Sequence, residues 1–505
     1  MFDLGRTFLQ STERSPNAEA IVEGELRLTY AQSLLRIAAV AQGLKAAGAG
    51  QEDRLLVVLR NRWEMATLHW ACQFAGIIVT PLNWRAKADE VEYCARDAGA
   101  KIVIYEAVSH DAASRAARAC GVPTISVGDA EPGTIRFEDW SGGGSSPTCA
   151  SAHDVSVMLY TSGTTGKPKG VPRTHGAERA AALAHVAQNL YRGGERTLGV
   201  MPLYHTMGVR TLLSMALVDG CLVCMPRFDA AHALELIERE RVTHLYLVPT
   251  LYHDLISPAG FAPEKVASVR KLGFAGAPMS SALLAKVDAA FKPDLFVNHY
   301  GSSEIYTFTV NPDARRKPGS AGEAGLNARI RVVKLDGKTP DQIASVREEG
   351  QIIADLQGDE AFERYWNRPD ADEKSLREGW YFTLDMGYFD EDAELFVTGR
   401  VDDMIISGGE NISPMEIESV LSLHGNVDEA AVAGLKDERL GQKVVAFVKR
   451  RGAVDAGALD DHCRSSNLMS FKRPREYVFV QEIPKSPVGK ILRRKLVAGD
   501  YEVDP

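Results

Sequence analysis

The chain has 505 residues, 45% hydrophobic and 25% charged, an ordinary globular balance that is too long for one compact core and asks for two or more domains. Its formal net charge of -9 argues against a general nucleic-acid binder, whose phosphate contacts need a basic face, and leaves any bound phosphate to a few local cations and backbone N–H groups. The opening residues MFDLGRTFLQ lack the apolar run of a signal peptide, and nowhere do ~18 apolar residues run together, so a cytoplasmic protein without a membrane span is expected.

Through the first 400 residues, helical patterns alternate with short β-branched runs. Residues 55–60 (LLVVLR) read as a strand, 64–75 as an amphipathic helix, and 76–82 (GIIVTPL) and 101–105 as strands again. The alternation predicts an α/β architecture with largely buried sheets. Residues 141–147 (SGGGSSP) form a plain loop. A second boundary falls near 399–403, which divides the chain into a large, composite N-terminal domain (1–399) and a small α+β domain (400–505). In the latter, Ser413-Pro414-Met415-Glu416 is a capping box with proline at the first helical position. Strands are expected at 430–434 and 444–449.

The seven cysteines (Cys72, Cys94, Cys120, Cys149, Cys221, Cys224 and Cys463) are odd in number and scattered, which suits a reducing compartment. Cys221 and Cys224 form a C-x-x-C, but their setting (GCLVCMP) reads as a short buried strand with no second Cys/His pair, so neither metal nor redox chemistry is assigned there.

The sharpest local signal is 160–170, YTSGTTGKPKG, between an apolar strand (155–160) and a helical stretch (177–190). Gly163, Gly166 and Gly170 let the backbone approach an anion. Thr161, Ser162, Thr164 and Thr165 add hydroxyl donors, and Lys167 and Lys169 add charge. Pro168 stands where the common P-loop requires Ser or Thr, so this is a phosphate loop of another kind. It resembles the signature of the acyl-adenylate-forming superfamily, which includes acyl- and aryl-CoA synthetases, coumarate ligases, luciferase and peptide-synthetase adenylation domains.

Further segments fall in that superfamily's order, so the resemblance spans about residues 28–496. Asn298–Glu304 (NHYGSSE) resembles its Y-G-x-T-E segment, which implies Tyr300 packing on adenine, Gly301, Ser302 and Ser303 near the nucleotide, and Glu304 holding the Mg²⁺ that bridges ATP phosphates. WYFTLD (380–385) resembles W-Y-x-T-G-D, with Asp385 on the ribose hydroxyls and Leu384 in place of the usual glycine. GRVDDMIISGGENI (399–412) resembles the hinge segment. It implies Arg400 at the ribose and phosphate, Asp402 as the pivot, Asn411 near the ligands, and Gly408 and Gly409 beside the pantetheine arm of coenzyme A. IPKSPVGKILRR (483–494) resembles the C-terminal lysine motif, which places Lys490 between the acid's carboxylate and the α-phosphate. Phe471, Lys472 and Arg473 are expected to meet coenzyme A.

For the acid, MPLYHTMG (201–208) resembles the pocket border, with His205, Thr206 and Met207 as wall residues. The same resemblance implies Tyr246, Leu247, Ala275, Ile305 and Tyr306 as the other walls, with Gly276 and Ala277 expected also along adenine. The wording is closest to bacterial aryl-CoA ligases of the 4-chlorobenzoate type, which implies a benzoate- or cinnamate-like acid. The implied reaction is ATP-dependent, AMP-forming ligation of that acid to coenzyme A. Lys490, His205 and Glu304 are the implied catalytic residues, and ATP, Mg²⁺ and coenzyme A the cofactors. An aliphatic acid, or a carrier protein or amine as acceptor, keeps the same adenylation chemistry. A silent nucleotide-binding regulator would not need all of Glu304, Asp385, Arg400 and Lys490. No nucleic-acid partner is implied, and monomer and homodimer both remain open.

Overall fold

The computed structural model describes residues 2–504 apart from 142–149, 162–166, 259, 336, 338, 467 and 486–490, and at 411 the backbone only. Two large sheets dominate. In one, Ile135–Arg136, Thr124–Val127, Ala100–Glu106, Arg54–Val58, Ile78–Pro81 and Val155–Thr161 run parallel, and Lys169–Thr174 closes the edge antiparallel. In the other, Glu19–Glu23, Cys221–Cys224, Arg196–Gly199, His244–Leu247, Lys271–Phe274 and Leu295–Tyr300 form a parallel block with antiparallel strands at both edges. The near-continuous apolar strands follow from burial on both faces. A shared core takes Leu55, Val57 and Val157 from the first sheet, Ile21, Leu222 and Cys224 from the second, and the helices Leu4–Arg14, Trp63–Ala75 and Thr206–Leu217 between them.

A five-stranded antiparallel sheet built from residues 330–400 follows. Residues 405–479 then form a separate five-stranded sheet with its own cores and the helices Pro414–Leu421 and Ala456–Ser465. The molecule therefore has a large N-terminal and a small C-terminal domain. Among the described residues, no helix is long and apolar enough to cross a membrane.

Two local expectations are corrected. The glycine-hydroxyl segment does not lead straight from strand to helix. Its flanks pair antiparallel, Thr161 with Lys169, and the strand Lys169–Thr174 intervenes before the helix His175–Gln188, which is capped by the Thr174 hydroxyl. The capping box at Ser413 does not form either. The helix starts at Pro414 as expected, but the Ser413 hydroxyl donates to the Thr398 carbonyl and so ties the helix start to the last N-terminal strand. Cys221 and Cys224 lie in the buried strand anticipated for them, and burial pushes both thiols up, Cys221 to about 12.

Candidate active site

The strand Leu295–Tyr300 ends at the carboxyl edge of the larger sheet, where parallel sheets present their ligand sites. The Tyr300 hydroxyl donates to Asp385 Oδ2 at 2.7 Å, and Arg400 Nη1 lies 3.1 Å from Asp385 Oδ1. Asp385 and Arg400 face each other on adjacent strands, so the antiparallel register sets their pairing. The residue before Asp385 departs from the superfamily pattern, and the backbone shows what the departure entails. Leu384 has φ +64°, a left-handed conformation, beside a register shift in the pairing of Gly350–Asp355 with Trp380–Phe389. Leucine occupies the glycine conformation with strain, and the turn that aims Asp385 survives.

The segment after Tyr300 turns back sharply. A Cβ on Gly301 would stand 2.1 Å from the Tyr306 carbonyl oxygen, so only glycine fits. The Ser302 hydroxyl accepts from the Glu304 and Ile305 N–H groups at 3.2 and 3.3 Å. Glu304 is buried, and its Oε1 accepts from the Tyr365 hydroxyl at 2.7 Å. The Lys169 ammonium sits 3.9 Å from the centre of the Tyr365 ring. Burial lowers the pKa of Lys169, and the Glu304 carboxylate opposes that fall. Below this group, the buried Arg173 pairs with Glu178 and donates to the Glu304 and Glu360 carbonyls at 3.0 and 2.8 Å. A buried carboxylate next to a hairpin that carries lysine is a donor set suited to a hard divalent cation beside phosphates.

Residues 162–166 and Lys490 lie outside the described residues. Their flanks are described. The Lys490 loop closes at a bridge between Lys485 and Ile491. Farther on, the charge of Arg494 acts on Glu90 in the helix Ala88–Ala98. That helix also braces the glycine-hydroxyl hairpin, since Tyr93 donates to the Pro168 carbonyl at 3.2 Å and Asp97 accepts from Tyr160 at 2.6 Å. The charge of the C-terminal tail thus reaches the helix that braces the hairpin.

On the acid side, His205 is the N-cap of Thr206–Leu217, and its Nδ1 accepts from the Met207 N–H at 3.4 Å. Thr206, Met207, Tyr246, Leu247, Ala275, Ile305 and Tyr306 are buried, whereas Gly276 (φ +84°) and Ala277 reach the surface. On the coenzyme A side, Gly408 and Gly409 (φ +62° and +89°) make the turn between Ile405–Ser407 and Glu410–Ile412, as their left-handed backbone requires. Lys472 pairs with Glu416 at 2.6 Å, Arg473 lies 3.9 Å from Asp460, and Phe471 packs on the C-terminal core, so the partners of all three lie within that domain. Asp402 is in the short 3₁₀ turn Val401–Asp403 that joins the domains.

Sequence reasoning missed Tyr365, Arg173, Arg210 and Glu360. None lies in a motif. The one available signal was two arginines in otherwise apolar or helical stretches, which announce buried ion pairs.

Residues 8–366 match the family model of the AMP-binding enzyme, and residues 416–490 match that of the AMP-binding enzyme C-terminal domain. The chain is 33% identical to a 4-chlorobenzoate–CoA ligase of Arthrobacter over 96% of its length and 93% of that protein. It is 34% identical to the long-chain-fatty-acid–CoA ligase FadD13 of Mycobacterium tuberculosis over 98% of both. Its fold superposes on ATP-bound MatB from Rhodopseudomonas palustris with a TM-score of 0.89, at 27% identity and 99% coverage of each chain. With both family models matched and relatives alike along the whole length, the chain belongs to the AMP-binding enzyme family.

Proposed function

We propose that the protein is an ATP-dependent, AMP-forming carboxylate–CoA ligase. The observation that carries the reading is the convergence of Glu304, Lys169, Asp385, Arg400 and Tyr300, from four separate segments, around the glycine-hydroxyl hairpin. Asp385 accepts the ribose hydroxyls, Arg400 steadies that carboxylate and reaches the phosphates, and Tyr300 lies along adenine. Thr161, residues 162–166 and Lys169 take the β- and γ-phosphates. Glu304 is the residue to hold Mg²⁺, whose charge neutralises the triphosphate when bound.

A free carboxylate is a poor acyl donor because oxide leaves badly. The acid's oxygen attacks the α-phosphorus and pyrophosphate leaves, so AMP becomes the leaving group for the next step. The protein contributes mainly position and charge, with Lys490 at the reacting centre and His205 at the pocket wall. The thiolate of coenzyme A then displaces AMP. We place the domain boundary at 399–400 and the pivot at Asp402. The C-terminal domain turns there between half-reactions, so that Gly408, Gly409, Asn411, Phe471, Lys472 and Arg473 replace Lys490 at the site. Their present partners, Glu416 and Asp460, fit a resting coenzyme A surface whose cations are held by exchangeable acids.

Similarity to a chlorobenzoate ligase supports an aromatic acid, and similarity to a long-chain ligase keeps the aliphatic alternative open. The six described, unpaired cysteines fit a cytoplasmic setting. The test is acid-dependent exchange of pyrophosphate into ATP across benzoates, cinnamates and fatty acids, followed by coenzyme A addition. AMP, pyrophosphate and an acyl thioester are expected. ADP as product would refute the reading.

A further inference from the structure

Beyond His205 and Met207, the region assigned to the acid is not the apolar slot that a bare ring needs. Side chains alternate along the strand Leu295–Tyr300. Tyr300 therefore faces Asp385, while His299 faces the opposite way, towards Asn189 and His185 at the end of the helix His175–Gln188. The His299 ring is 5.3 Å from that of Tyr246, which is 4.6 Å from His185. Arg210 lies one turn past Met207 on the helix Thr206–Leu217. Its guanidinium stands 5.6 Å from the Tyr246 ring and 5.4 Å from that of Tyr306, and donates to Thr307 Oγ1 at 2.7 Å and the Tyr306 carbonyl at 3.1 Å.

Arg210, Tyr246, His299 and Tyr306 are each only 2% exposed. Yet Arg210 Nε, the Tyr246 hydroxyl and His299 Nδ1 have no hydrogen-bond partner among the described residues, whereas the Tyr306 hydroxyl faces Glu178. Buried polar groups are normally satisfied, so three orphans in one cluster require an explanation. The contrast with Tyr252 is direct, because its buried hydroxyl lies 3.1 and 2.8 Å from the Leu245 and Gly273 carbonyls. The orphans are donors or can donate. Asn189 offers His299 Nε2 a donor (Nδ2, 3.1 Å) and an acceptor (Oδ1, 3.2 Å), so the tautomer with its proton on Nδ1 is open to it. Burial and the charge of Arg210 hold His185 and His299 neutral, and burial pushes the neighbouring Glu360 carboxyl up, towards its uncharged form.

We infer that the acid this enzyme activates carries an oxygen-bearing, hydrogen-bond-accepting substituent at the end remote from its reacting carboxyl, held by Arg210, Tyr246 and His299. The inference rests on the ligase reading and narrows its substrate class. A site built to pair with an oxygen leaves its own donors unpaired when the analogue lacks that oxygen, so rejection of the analogue exceeds what a missing apolar group would cause.

Pyrophosphate exchange is measured with matched acids that differ in one group: benzoate and 4-hydroxybenzoate, cinnamate and 4-hydroxycinnamate, butyrate and succinate. In the preferred pair, kcat/KM is expected to favour the oxygenated member by on the order of 100-fold or more. Tyr246→Phe should narrow that ratio at least tenfold. This variant removes no existing hydrogen bond, so it should fold. Tyr252→Phe, which loses bonds to the backbone, should lower stability without narrowing the ratio. Equal or better use of the bare acid in every pair, or an unaltered ratio in Tyr246→Phe, would overturn the inference and leave the ligase reading intact. No exchange with any acid would overturn both.

Discussion

Replacing Tyr365 by phenylalanine isolates the role of Glu304. The tyrosine hydroxyl is 2.7 Å from Glu304 Oε1, the carboxyl group is buried, and Lys169 lies over the tyrosine ring rather than against the carboxylate. A hydrogen bond to a charged group contributes about 1.5–3 kcal/mol, and a buried carboxylate that loses its donor bears a penalty of that size. The nucleotide-free variant should therefore be less stable than the parent by about 2 kcal/mol. If Glu304 is a ligand of Mg²⁺, the bound cation supplies the missing counter-charge and most of the penalty vanishes. Linkage then requires Mg·ATP to bind the variant more tightly, by about tenfold for each 1.4 kcal/mol recovered. Urea unfolding with and without nucleotide, together with calorimetric titration of Mg·ATP, measures both sides of the cycle. An unchanged Kd combined with an unchanged deficit in the presence of Mg·ATP would show that Glu304 carries structure only.

Leu384→Gly should keep or raise the unfolding midpoint, because relief of ~1–2 kcal/mol of left-handed strain exceeds the ~0.5–1 kcal/mol that glycine adds in chain entropy. Leu384→Ile should lower the midpoint and raise KM for ATP, since a β-branched residue fits φ +64° worse still; thermal scans and exchange kinetics decide. Asp385→Ala should raise KM for ATP by roughly 10–100-fold, the loss of one or two hydrogen bonds, with kcat/KM for the acid measured alongside. On the acid side of neutrality, His69 and His175 are buried, with pKa values lowered to about 3 and about 4. The unfolded chain takes up their protons first, near the ordinary value of about 6.5, so stability should fall as pH drops from there towards 3–4, by up to ~1.4 kcal/mol per unit for each group. His69→Gln should flatten that slope in pH-dependent unfolding.

The catalytic motifs were legible because each contains residues whose chemistry is costly to carry without use: a glycine where a Cβ meets a carbonyl (Gly301), a buried carboxylate (Glu304), an aspartate opposite an arginine (Asp385 and Arg400). The alternation of strands and helices was equally plain, since parallel strands buried on both faces read as apolar runs. Less visible was anything fixed by long-range contact. Ser413 satisfies every local rule for a helix cap, yet its hydroxyl goes to Thr398, 15 residues back, because the interdomain junction competes for it. The strand Lys169–Thr174 holds a lysine, a proline and an arginine, so its sequence hides a strand that pairing with Val155–Thr161 creates. The polar side of the acid pocket was not legible: Arg210 lies just past the 201–208 motif, and His299, although inside Asn298–Glu304, has no role that the resemblance assigns, since its setting depends on Asn189, His185 and Tyr246 from distant segments.

The central claim is that one site performs two half-reactions, with Lys490 delivered to it for the first only. Its most direct test is Lys490→Ala assayed separately for acid-dependent pyrophosphate exchange and for conversion of supplied acyl-adenylate and coenzyme A to thioester. The account predicts exchange reduced by several orders of magnitude with thioester formation retained. Equal loss of both half-reactions would contradict it.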